Sequence, residues 1–91
     1  MDQLKLINKV TQHFRTQTDI LINLFENDKQ SLVFIKHSEY IQYGDILKLI
    51  IAFKFYEILT NDYADQLRRE IDLINNDFIL YVMRNTKKIE T

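Results

Sequence analysis

His13 and His37 are the only imidazoles in the chain, and 24 residues separate them. Neither sits in an HExxH pattern or any other ligand spacing, so a metal site would need carboxylates brought in from separate elements. Ser31 and Ser38 flank His37. A nucleophilic serine needs a strained elbow and an oriented base, and neither serine lies in such a pattern. The absence of Cys removes thiol chemistry, disulfides, Cys-ligated zinc and iron–sulfur clusters together. A single Gly cannot build a Walker loop or a dinucleotide fingerprint, which need several backbone positions close to phosphate. Carboxylates are plentiful, but most fall on polar helix faces, where solvation accounts for them.

Arg68, Arg69, Arg84, Lys87 and Lys88 form the best basic grouping, all in the last third of the chain. They are the candidates for nucleic-acid contact, and Asp65, Glu70, Asp72, Asp77 and Glu90 offset them on the same segment. With 12 Lys and Arg against 13 Asp and Glu, the net charge is −1, so no global field draws the chain to phosphate. A helix-turn-helix would put its turn at Asn61-Asp62, but Phe53 to Leu59 before it reads as core. The five Tyr residues could stack on bases, yet packing in a core or interface explains them as well.

The run Leu67-Arg68-Arg69-Glu70-Ile71-Asp72-Leu73-Ile74 resembles the opening helix of the helical chorismate mutases, in which the arginine matching Arg68 holds a substrate carboxylate. The resemblance implies an all-helical chain with a carboxylate contact at Arg68. It spans about a fifth of the sequence, and Asn75 and Asn85 stand where that family carries a second Asp and a later Arg. The family's remaining helices would have to come after this one, and only a few residues do. The expectation is therefore no enzyme, no cofactor, no metal and no small-molecule substrate.

These residues must be held by few and simple elements. Ninety-one residues with 46% hydrophobic and 27% charged content make one globular domain, 1–91, near the lower size limit for independent folding. One Gly and no Pro, where roughly six and about five are usual, favour helices joined by short polar links. From 3 to 26, Leu6, Ile7, Val10, Phe14, Leu21, Leu24 and Phe25 share one face of an amphipathic helix, with Gln17 inside the stripe or at its edge. Asn27 to Ser31 break the pattern, and Asp28 or Ser31 can cap a second helix. The stretch from Leu32 to Tyr43 has no single stripe and reads as a short helix and a loop, or as a hairpin. Gly44-Asp45 then punctuate, and Asp45 caps a helix from Ile46 to Leu59 that is apolar almost all round, as an element enclosed by its neighbours would be. After Asn61-Asp62, Tyr63, Ala64, Leu67, Ile71, Ile74, Phe78, Tyr81 and Val82 mark a second long amphipathic helix, unless Asn75-Asn76-Asp77 turn into a strand.

The expected fold is all-α, a compact bundle of three or four helices, with α+β and a hairpin near 31–43 as the alternative. Its core centres on Phe14, Leu21, Phe53, Ile71, Ile74 and Phe78. The N-terminal residues lack a signal-peptide pattern, and Ile46 to Leu59 is too short and too interrupted by Lys48, Lys54 and Glu57 to span a bilayer. A soluble, cytoplasmic protein is expected. Beside the main stripe of the last helix, Leu73, Ile79, Leu80 and Met83 form a second apolar face, and such a face marks a partner site or a self-association surface. The expected function is protein binding through that face, as a small regulator, inhibitor or adaptor that self-associates. A nucleic-acid-binding regulator working through the last helix is the alternative.

Overall fold

In the computed structural model, which describes residues 2–90 and side chains as far as Thr86, three helices succeed one another: α1 (Gln3–Asn27), α2 (Leu32–Phe55) and α3 (Asn61–Glu90). The described residues contain no strand. Links of four and five residues reverse the chain twice, so successive helices run antiparallel, and each helix packs on both others. The result is a rod of 49 × 19 × 17 Å. Among the described residues no helix is long and apolar enough to cross a membrane.

Each start has a side-chain cap that satisfies otherwise unpaired backbone N–H groups. Asp2 accepts from the N–H groups of Leu4 and Lys5, Ser31 Oγ accepts from Phe34 at 3.1 Å, and Thr60 Oγ1 accepts from Tyr63 at 3.3 Å. The cap of α3 is thus Thr60 rather than Asn61 or Asp62. The stops are less usual. Glu57 takes a φ of 59° and Lys29 a φ of 56°, left-handed positions where Gly is the ordinary choice. After α2, the Ile58 N–H donates to the Phe53 carbonyl at 2.8 Å and the Glu57 N–H to that of Lys54 at 3.1 Å. This is a Schellman closure that uses glutamate in place of glycine.

Residues 31–43 form neither the expected loop nor a hairpin, since α2 runs unbroken through Gly44 and Asp45. Gly44 has ordinary helical geometry, with no positive φ, and Asp45 lies mid-helix instead of capping. The inward stripe explains the continuity. Ile35, Glu39, Ile46 and Ile50 are buried at helical spacing on either side of Gly44, and a glutamate standing in an apolar position conceals that period in the sequence. The helix also stops at Phe55, short of Leu59, whose side chain is buried in the turn.

The core lies in two clusters. The larger unites Ile7, Val10 and Phe14 with Ile46, Ile50, Leu59, Ala64, Leu67, Ile71 and Ile74, while the smaller holds Leu21, Ile35, Phe78 and Val82. Phe53, expected at the centre, is only half-buried against the larger cluster. Hydroxyl and amide bonds fix the helices to one another: Tyr43 Oη donates to Asp72 at 2.6 Å, Tyr81 Oη to Glu26 at 2.7 Å, Thr11 Oγ1 to Glu70 at 3.0 Å, and the Thr60 N–H to Gln3 Oε1 at 2.8 Å. Burial, and then its Glu26 bond, pushes the Tyr81 phenol up to about 12, and burial with Asp72 raises Tyr43 as well. Both phenols therefore remain donors in these bonds at neutral pH.

Candidate apolar groove and helical face

The first half of α2 and the second half of α3 meet over the smaller cluster and leave an open groove of about 870 Å³ between them. Phe78 and Val82 are its buried floor, and Val33, Tyr40, Ile79 and Met83 are exposed along its sides. Lys36, His37, Glu39, Tyr43, Asn75 and Thr86 complete the lining. The composition reflects a deficit of helices. α2 is apolar on nearly every side, but a three-helix bundle gives it only two neighbours, so apolar residues face outward.

Glu39 is the anomaly of the groove. It is only 5% exposed, its Oε1 has no hydrogen-bond partner, and burial raises its carboxyl to about 7. A carboxylate that gives up water without gaining a donor is disfavoured relative to its neutral acid. The groove therefore holds near its floor a group able to donate or accept a proton near neutrality, and able to pair with a cation.

The four residues read from the sequence as a partner face, Leu73, Ile79, Leu80 and Met83, are between 43 and 65% exposed. Only two of them line the groove. Ile79 and Met83 border the groove, whereas Leu73 and Leu80 are not part of its lining; they sit farther round α3, at helical spacing with the exposed Arg69 and Arg84. Sequence reasoning misses the α2 side altogether. Val33, Tyr40, Ile51 and Phe55 are between 66 and 78% exposed, more open than any of the four on α3. The signal is present in the all-round apolarity of the segment, which fits an outward apolar face as well as it fits enclosure.

The basic residues are scattered. Arg68 is engaged with both carboxylate oxygens of Asp72 at 3.2 Å, where Tyr43 also donates. Among the described residues of α3 the ion pair that forms is this one, Arg68 with Asp72, an i,i+4 pair. The carboxylate contact that the mutase resemblance placed on Arg68 is made to its own helix. Arg69 and Arg84 are exposed, but fifteen residues of helix put them roughly 22 Å apart. The side chains of Lys87 and Lys88 lie outside the described residues.

The two histidines face different clefts. His37 lines the groove, and His13 lines a pocket of about 220 Å³ between α1 and α2, with Gln17, Gln42 and Asp45. Gln17, half-buried, reaches that pocket from the apolar stripe of α1. Ser31 Oγ accepts the capping bond from Phe34, and among the described residues no hydrogen bond joins His37 to a serine or a carboxylate. No three potential ligands gather at one point among the described residues. No protein-family model, no curated protein and no solved structure matches the chain.

Proposed function

We propose that this chain is a non-enzymatic protein-binding module, of the regulator, inhibitor or adaptor kind, which receives an apolar helix along the α2–α3 groove. The supporting observation is the groove itself, whose buried floor of Phe78 and Val82 is flanked by exposed Val33, Tyr40, Ile79 and Met83. Each large apolar side chain held in water forgoes roughly 1.5 to 3 kcal/mol of burial, and here the exposed ones are contiguous with a concave surface. An amphipathic helix laid in a groove buries such residues at i, i+3, i+4 and i+7 spacing.

The test is capture from nuclease-treated extract of the native cell with wild type and with Met83→Lys. Lysine has nearly the helix propensity of methionine, and circular dichroism checks that α3 is retained. The expected result is a partner held by wild type, lost by the variant, and insensitive to salt. Equal capture by both proteins would overturn the reading. Binding that disappears on nuclease treatment or falls steeply with salt would instead mark a phosphate-contacting protein.

A further inference from the structure

We infer that the partner seated on α2 is a second copy of this chain, laid antiparallel so that the two α2 helices cross at Gly44. The inference rests on the protein-binding reading and names the occupant of part of that face. α2 carries a stripe of Val33, His37, Tyr40, Gly44, Leu47, Ile51 and Phe55. Their spacing, four, three, four, three, four and four residues, is the repeat by which two helices pack side by side. All but the half-buried Gly44 and Leu47 are exposed, and of the seven only Leu47 packs against the larger core cluster, so most of the stripe faces away from the monomer's core.

Gly44 lies midway between Val33 and Phe55 in the chain, and its surroundings single it out. A Cβ added there would meet nothing within 4 Å, and its φ is not positive. The monomer thus needs no glycine at this point, although glycine within a helix costs stability relative to alanine. A crossing helix does need one, because a residue without a Cβ lets a second backbone come close. With the two-fold axis at Gly44, Val33 of each copy meets Phe55 of the other and His37 meets Ile51. A parallel pair would set Lys36, Lys48 and Lys54 each against itself. In the antiparallel pair Lys48 comes level with Tyr40 of the second copy instead of with another lysine.

The surface area agrees. The chain exposes 6541 Å², whereas a compact monomer of 11.0 kDa exposes about 5,600 Å². The excess, roughly 900 Å², belongs to the elongated shape, and pairing along the rod is the arrangement that reduces it. The radius of gyration of 14.8 Å, against about 12 Å for a compact chain of this length, reflects the same rod, and two rods side by side make a rounder body.

The chain has no Cys, so introduced cysteines report without background. Val33→Cys and Phe55→Cys are prepared separately, then mixed and oxidised. The mixture should give a mixed disulfide, and neither variant alone should link to itself, since about 33 Å of helix separates the two positions. In sedimentation equilibrium wild type should be a dimer. Gly44→Leu should weaken it by about tenfold or more while raising the monomer's melting temperature, an opposition of sign that general misfolding does not produce. Monomeric wild type, self-linking of Val33→Cys alone, or a Gly44→Leu dimer as tight as wild type would each overturn the inference. A monomer that still captures a partner in a Met83-dependent way would leave the protein-binding reading intact.

Discussion

Replacing Glu39 by glutamine should make the protein more stable at neutral pH and leave it unchanged in acid. Glu39 is buried with Oε1 unpartnered, and its carboxyl rises from an ordinary 4.5 to about 7 in the folded chain. Between those values the folded state keeps a proton that the unfolded chain has already released. Stability therefore falls as pH climbs through that window and levels off above it, where both states are ionised. At 1.36 kcal/mol for each pKa unit, the loss amounts to roughly 3 kcal/mol. Glu39→Gln preserves the shape of the neutral acid and removes its titration. Wild type and variant should match near about pH 4, and the variant should lead by roughly 2 to 3 kcal/mol near about pH 8. Urea unfolding followed by circular dichroism, at fixed protein concentration because association shifts apparent stability, measures the difference. Lys36 and His37 line the same groove and are present in both proteins. A difference that stays flat with pH, or a variant less stable than wild type in alkali, would refute the assignment of Glu39 to a desolvated site.

Phe14 and Phe78 are buried in separate clusters, so alanine at either should cost about 3 to 5 kcal/mol and the double variant should be additive within about 0.5 kcal/mol; strong coupling in the unfolding midpoints would mean one continuous core. Glu57 holds a left-handed φ of 59°, which costs about 1 to 2 kcal/mol for a residue with a Cβ. Glu57→Gly should therefore raise the melting temperature, by a net of about 0.5 to 1 kcal/mol after the added freedom of the unfolded chain. A lower melting temperature would place the strain elsewhere.

The two outer helices were legible because each has a single apolar stripe with polar residues opposite. Ile7, Val10, Phe14 and Leu21 on α1, and Ala64, Leu67, Ile71, Ile74, Phe78 and Val82 on α3, are buried as their spacing requires. The middle helix was not legible, for two physical reasons. Glu39 occupies an inward position and interrupts the apolar period, while Val33, Phe34, Ile41, Leu49, Ile51 and Phe55 supply apolar residues on the outward side, so no face stands out. Gly44 added a false stop. Glycine marks a helix end when its backbone adopts a positive φ, which sequence does not reveal, and here it does not. The candidate site was half visible for the same reason. Ile79 and Met83 could be found against the regular pattern of α3, but the facing wall of the groove lies on the helix whose pattern was hidden.

The features that obscured α2 are also the ones that cost the monomer stability. A glycine inside a helix, an unpartnered buried carboxyl and a row of exposed large apolar side chains each work against folding of the isolated chain. All three coincide on α2, whereas α3 also exposes Leu73, Ile79, Leu80 and Met83 but keeps a clean inward stripe, and among the described residues the helix starts are capped and hydroxyl bonds join the helices. Sequences break local rules where a surface is matched to something other than the monomer's own core. In α2 two of the departures share a face: Gly44 leaves room for a backbone, and Val33, Tyr40, Ile51 and Phe55 offer area to either side of it. A helix matched only to α1 and α3 would need alanine and polar residues at those positions, and would be the more stable monomer. The residues actually present fit an α2 whose outward face is completed by association.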